Sequence, residues 1–180
     1  TVGNTLDAAC DNITISGTNY LPSPTNPVGT HIISDSSLLI YTKRASKWYF
    51  GDYSGLDFCC NNTTTPLGDG QTINISGSTG LEGASSMSDE YGNLLVYAQG
   101  EFVFNRNHKI MPNGNALAGN GSASDGVLII PLPDSDSLYY LFNNSATSMQ
   151  GLSYSIIDMT LDNGLGDIIP GQKNVLLNPN

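Results

Sequence analysis

Apolar residues along this chain gather in short runs of four to eight positions instead of recurring every three or four, and each run closes on Gly, Asn, Asp or Pro. Runs of that length, rich in Tyr, Ile, Val and Phe, predict β-strands and leave no convincing helical periodicity. Strands are expected at Ser37 to Thr42 (SLLIYT), Lys47 to Gly51 (KWYFG), Gln71 to Ile75 (QTINI), Leu94 to Ala98 (LLVYA) and Phe102 to Asn105 (FVFN). Four more are expected at Gly126 to Leu132, Leu138 to Asn143 (LYYLFN), Ser153 to Thr160 and Asn174 to Leu177. The chain therefore reads as all-β.

The segments between the runs decide how the strands pair. Asp89-Glu90-Tyr91-Gly92-Asn93 precedes LLVYA and Gln99-Gly100-Glu101 follows it, so two short hairpins bracket one buried strand. Pro133-Asp134-Ser135-Asp136-Ser137 and Asp162-Asn163-Gly164-Leu165-Gly166-Asp167 are equally tight polar links. Connections this short pair neighbouring strands antiparallel, because parallel pairing needs a crossover of a dozen residues or more. The expected architecture is a set of antiparallel meander sheets, most simply the blades of a partial β-propeller, with a β-sandwich as the alternative. Residues 1–46 read as an N-terminal extended arm or linker, with Pro22, Pro24 and Pro27 and one short strand at Asn12 to Ser16. Residues 47–180 read as the blades.

Charge narrows the partners. Sixteen acidic side chains against six basic ones give the 180 residues a net charge of −10, and only 12% of positions are charged. Six scattered cations cannot form the Lys/Arg footprint that phosphate recognition needs, so no nucleic-acid partner is expected. The longest apolar run, Val127 to Ile130 with Pro131-Leu132-Pro133 behind it, falls far short of the roughly twenty residues of a helical span, and no membrane insertion is expected.

Three cysteines, Cys10, Cys59 and Cys60, leave at least one thiol unpaired within the chain. A bridge from Cys10 to either of the others would close a loop of about fifty residues, worth roughly 4 kcal/mol on chain-entropy grounds. Buried free thiols are the other reading, and a ring between adjacent Cys59 and Cys60 would be strained. His31 and His108 are isolated and no Cys-x-x-Cys spacing occurs, which argues against zinc.

The string Trp48-Tyr49-Phe50-Gly51-Asp52-Tyr53-Ser54-Gly55-Leu56-Asp57-Phe58 resembles the WYFGxxAGLDF opening of the propeller-like region of large secreted Bacteroidetes-type surface proteins. Those proteins carry type IX secretion signals or a gliding-motility-associated C-terminal domain. Ser88 to Gly100 (SDEYGNLLVYAQG), Phe104 to Gly114 (FNRNHKIMPNG) and Leu152 to Val175 (with LSYSIIDMTLDNGLGD and KNV) follow the same pattern in the same order. The resemblance covers about residues 48 to 180. It implies secretion to the cell surface, a propeller-type fold and a place within a longer protein. Two departures stand out: 47 residues precede the Trp48 string, and the chain holds about three blade lengths, whereas a closed propeller needs at least four.

No Gly-x-Ser-x-Gly elbow, His-Glu-x-x-His helix or Walker loop occurs, and Ser124-Asp125-Gly126 does not complete a sialidase-type Asp box. The paired carboxylates Asp52/Asp57 and Asp162/Asp167 read as strand terminators and turn formers. The expectation is thus a non-enzymatic extracellular or cell-surface module for structure or adhesion, meeting protein or glycan partners and able to self-assemble as a homo-oligomer, filament or sheath. The alternative is a carbohydrate-binding module, with Trp48, Tyr49 and Tyr53 as glycan-contact candidates because flat rings stack on sugar faces. In a strand, however, Trp48 and Phe50 share one face and Tyr49 takes the other, which puts part of this cluster in the core. Arg106 and His108 would lie on the same side of an extended segment, where they can meet an anion, but a merely solvated hairpin tip is the favoured reading. Asp162, Asn163 and Asp167 gather oxygens in one loop, a candidate Ca²⁺ site and the sole cofactor indication. Asp136-Ser137-Leu138 resembles an O-glycan acceptor of exported Bacteroidetes-type proteins, marking Ser137. Asn-x-Ser/Thr sequons stand at Asn12, Asn61, Asn62, Asn74, Asn120 and Asn143.

Overall fold

The short apolar runs are borne out as strands that pair antiparallel. In the computed structural model the described residues are 43–50, 53–58, 64–71, 82–145 and 151–177. The expected strands at Asn12 to Ser16 and Ser37 to Thr42, most of Gln71 to Ile75, and all three cysteines lie outside them.

Among the described residues three antiparallel sheets form, with no closed barrel. The first runs β1 (Lys47–Phe50), β2 (Ser54–Asp57), β3 (Thr65–Leu67). The second is the meander β4 (Ala84–Ser88), β5 (Leu94–Gln99), β6 (Phe102–Asn105). The third is ordered β10-β9-β8-β7, from β7 (Val127–Pro131), β8 (Leu138–Asn144), β9 (Leu152–Asp158) and β10 (Asp167–Ile168); β11 (Val175–Leu176) pairs with the other end of β9. β10 and β11 thus act as one edge strand interrupted by residues 169–174.

The turns follow the side-chain chemistry read from the sequence. Asp89 Oδ1 accepts the backbone N–H groups of Tyr91 at 2.9 Å and Asn93 at 2.8 Å, closing the β4–β5 hairpin as an Asx turn does. Between β9 and β10, Asp162 (φ 47°) and Asn163 (φ 55°) take left-handed conformations that their short polar side chains tolerate. β2, β3, β4 and β10 go beyond the expected strands. Their sequences (SGLD, TPL, ASSMS, DI) carry too few apolar positions to announce a strand, and they form because a neighbouring strand supplies hydrogen bonds.

The second sheet lies between the other two, which explains why LLVYAQ is buried almost without alternation. Val96, Ala98 and Val103 face the third sheet and join Ile129, Tyr139, Leu141, Ile157 and Ile168 in the larger core. Tyr97 and Phe104, cross-strand partners on the opposite face, pack with Tyr49 and Leu94 in a smaller aromatic core. Full burial of side chains of this size contributes roughly 1.5–3 kcal/mol each. The outer sheets each keep one face on a core and turn the other outward.

Candidate functional site

The first sheet presents the densest aromatic surface. Trp48 and Leu56 are direct cross-strand partners, as are Phe50 and Ser54, so one face carries Trp48, Phe50 and Leu56. Phe58 continues that face, since its N–H bonds the Ser46 carbonyl at 2.8 Å, and its ring lies 5.0 Å from that of Trp48 at a tilt of 58°. Trp48 is 51% exposed and Tyr53, in the left-handed turn position before β2, 56%. The indole N–H of Trp48 donates to the Ala45 carbonyl at 3.0 Å, which restrains the ring without covering it. Trp48, Phe50, Leu56 and Phe58 thus make an outward apolar surface suited to stacking on a sugar ring or on another apolar face, with Tyr53 exposed in the turn beside it.

Tyr49 does not belong to this surface. It is 4% exposed, and its ring stacks on Tyr97 with centroids 4.9 Å apart. Alternation is the reason: one residue along the strand reverses the face. Gly55, the cross-strand partner of Tyr49, makes room for the ring, for a Cβ there would stand 3.1 Å from Tyr49 Cδ1 and 2.7 Å from the Trp48 carbonyl oxygen. Tyr49 is therefore withdrawn from the glycan-contact candidates, while Trp48 and Tyr53 remain and Phe50 and Phe58 join them. Alternation along the strand already puts Phe50 on the Trp48 side, but only the pairing of β1 with the β2 segment brings Phe58 to the same face.

Beneath the surface lies a polar network that no sequence spacing announced. Tyr49 donates its hydroxyl to Asp69 Oδ1 at 2.9 Å, and Asp69 Oδ2 faces His108 Nε2 at 3.3 Å. The other ring nitrogen, Nδ1, lies 3.3 Å from the Tyr97 hydroxyl, which also accepts the N–H of Gln71 at 3.1 Å. Burial pushes the Tyr97 phenol up to about 12, with the Asp69 charge acting in the same sense and the Gln71 N–H against it. Tyr49 is raised too, first by burial and then by its hydrogen bond to Asp69 and that carboxylate's charge. Both phenols thereby keep their protons beyond the ordinary tyrosine range, as donors and acceptors. Because the Tyr97 side chain is wholly enclosed, its hydroxyl braces the junction between the first two sheets and offers no open group to a substrate.

A turn decides between the two readings of Arg106 and His108, in favour of a hairpin tip and against an anion pair. Residues 105–109 are not extended: Asn105 N–H bonds the Lys109 carbonyl at 2.9 Å, His108 N–H bonds the Asn105 carbonyl at 2.9 Å, and His108 sits at φ 58°. Arg106 donates outward to the Gly164 carbonyl while His108 turns inward to Asp69 and Tyr97, so the two do not converge on one anion.

Of the candidate calcium ligands, Asp162 and Asn163 are exposed on the β9–β10 turn, whereas Asp167 is buried and bound elsewhere. Its Oδ1 accepts the backbone N–H groups of Asn113 and Ile168, both at 2.8 Å, and its Oδ2 accepts the Asn113 side-chain amide at 2.7 Å. Among the described residues no three His, Cys, Asp or Glu side chains gather as a metal group. Ser137 lies in the polar link before β8, half-buried, with its carbonyl accepting the Met159 N–H at 2.9 Å. The sequon at Asn143 falls on a fully buried amide that donates to the Gly100 carbonyl at 3.3 Å, which leaves no room for a glycan. The sequons at Asn12, Asn61, Asn62 and Asn74 lie outside the described residues.

Compared with protein-family models, curated proteins and solved structures, the chain matches none.

Proposed function

We propose that this chain is a non-enzymatic contact module of a secreted surface protein, standing outside the cell and working in adhesion or surface assembly. The observation that carries the reading is the outward aromatic face of β1 and β2, where Trp48, Phe50, Tyr53 and Phe58 are all exposed on a sheet whose other face is core. A surface of that kind on a chain with 12% charged residues favours contact with an uncharged partner. On this reading the three stacked sheets are successive blades of a partial propeller, and Ser137 is an O-glycan acceptor on an outward loop. The test is adhesion of beads coated with the folded chain to glycan-bearing and apolar surfaces. Undiminished adhesion by a folded Trp48→Ala/Phe58→Ala double variant would remove the face from the proposal.

A second reading, carbohydrate binding, is favoured by the restrained yet half-open Trp48 ring. A glycan array separates the two: binding to one class of saccharide that Trp48→Ala abolishes makes the chain a lectin-type module, and silence across the array together with adhesion to apolar surfaces leaves the first reading.

A further inference from the structure

Three Asn-Gly pairs occur in the chain: Asn113-Gly114, Asn120-Gly121 and Asn163-Gly164. Asparagine is chemically labile, and a following glycine makes it more so. Glycine has no Cβ to hinder its own backbone nitrogen and reaches conformations closed to other residues, so that nitrogen can close on the asparagine side-chain carbon. Whether it does so in a folded chain depends on how firmly the two residues are held.

Two of the pairs are locked. Asn113 is exposed, but its side-chain amide donates to Asp167 Oδ2 at 2.7 Å and its backbone N–H to Oδ1 at 2.8 Å. Gly114 is buried and its N–H donates to the Met111 carbonyl at 2.8 Å; a Cβ there would stand 2.6 Å from the Val103 carbonyl oxygen. Asn120 is half-buried, and its side-chain oxygen accepts the Ser122 N–H at 2.8 Å. The Gly121 carbonyl accepts the Glu82 N–H at 2.9 Å. In both pairs these bonds must open before the atoms can rearrange.

The third pair is open. Asn163 is exposed on the β9–β10 turn, and its side chain has no hydrogen-bond partner among the described residues. Asn163 at φ 55° and Gly164 at φ 83° both stand in left-handed conformations. Arg106 holds the Gly164 carbonyl, which takes no part in the reaction.

We propose that Asn163 is a site of spontaneous deamidation in the folded protein. The Gly164 nitrogen forms a bond to Asn163 Cγ and the Cγ–Nδ2 bond breaks. The glycine proton, passed through hydroxide and water, leaves on the departing nitrogen as ammonia, and a five-membered succinimide remains. Water then opens the ring at either carbonyl, giving aspartate or isoaspartate. The balance is one water in and one ammonia out, with nothing oxidised or reduced. An uncharged amide becomes a carboxylate beside Asp162, so the net charge of −10 grows one unit more negative. The isoaspartate product also adds a carbon to the backbone of the turn between β9 and β10. The inference stands on this turn alone and does not depend on what the Trp48 face binds.

Incubating the whole chain at mildly alkaline pH, folded and in urea, tests it, with peptide mapping by mass spectrometry and isoaspartyl methyltransferase labelling. Each pair's rate in the folded chain is read against its own rate in urea. Folding should slow Asn163 least, and should slow Asn113 and Asn120 on the order of 100-fold more, because hydrogen bonds must first open there. Asn163→Ser should abolish the main acidic species that ion-exchange chromatography resolves from the aged folded chain. Unchanged Trp48 emission confirms that the variant is folded. Protection of Asn163 equal to that of either other pair, or an acidic species that persists in Asn163→Ser, would overturn the inference.

Discussion

Asp167 and Asn113, 54 residues apart, form a two-point hydrogen-bonded clasp: the backbone N–H of Asn113 reaches Oδ1 at 2.8 Å and its side-chain amide reaches Oδ2 at 2.7 Å. The clasp ties the loop after β6 to the edge strand β10, joining the second sheet to the third. A carboxylate that accepts three N–H groups in a buried place is fully partnered, which is the condition under which burying it is tolerated.

Removing one partner strands the others. Asp167→Ala should cost about 2 kcal/mol, since charge-assisted bonds are lost and the Ile168 N–H is left buried, while Asn113→Ala should cost about 1 kcal/mol because its backbone bond survives. In a double-mutant cycle by urea denaturation the two should couple by roughly 1 kcal/mol. Strict additivity would show that the clasp does not hold in solution.

The tyrosine pair sets the alkaline limit of the fold. Tyr97 titrates at about 12 in the folded state, and Tyr49 is raised as well, against an unfolded value of 10.0. Between these values the unfolded chain loses phenolic protons that the folded chain keeps. Stability is therefore complete below pH 10 and falls as pH rises from about 10 to about 12. Urea midpoints across that range should decline, and Tyr97→Phe should flatten the decline. An equal slope in the variant would mean that Tyr97 ionises without hindrance in the native protein.

Backbone closeness at one glycine predicts a sharp contrast. A Cβ at Gly119 would lie 2.4 Å from the Gly100 carbonyl oxygen and 3.1 Å from the Asn143 amide nitrogen, whereas at Gly68 it would meet nothing within 4 Å. Gly119→Ala should destabilise by about 2–4 kcal/mol, and Gly68→Ala by less than about 0.5 kcal/mol. Thermal unfolding of the two variants distinguishes them directly.

Adjacent residues in β1 should behave as opposites. Tyr49→Ala empties a ring position in the aromatic core and should cost about 3–5 kcal/mol, while Trp48→Ala touches the open face and should cost less than about 1 kcal/mol. Comparable losses at both positions would show that the Trp48 face is covered.

Local chemistry carries much of the fold without tertiary information. Leu94–Gln99, Phe102–Asn105 and Leu138–Asn144 match their expected strands within a residue at either end, because each combines β-branched or aromatic residues with a turn former at its boundary. The hairpin at Asp89 was equally readable, since an Asx turn is made by the residues that spell it. β2 and β4 were not, because Ser and Gly become strand only when a neighbour supplies hydrogen bonds. The less favoured reading of Arg106 and His108, an anion pair, falls for a related reason. Its geometry assumed an extended chain, and a left-handed residue at His108 turned the two side chains apart.

By itself the amino-acid order determined the all-β class, the antiparallel meanders and the division of Trp48 from Tyr49, since all three depend on interactions within a few residues and on a side-chain period of two. Only the tertiary structure decided that the middle sheet is buried on both faces, that Asp69 and His108 link Tyr49 to Tyr97, and that Asp167 binds Asn113. These rest on contacts between residues 11 to 54 positions apart, which sheet stacking brings together and no local pattern encodes.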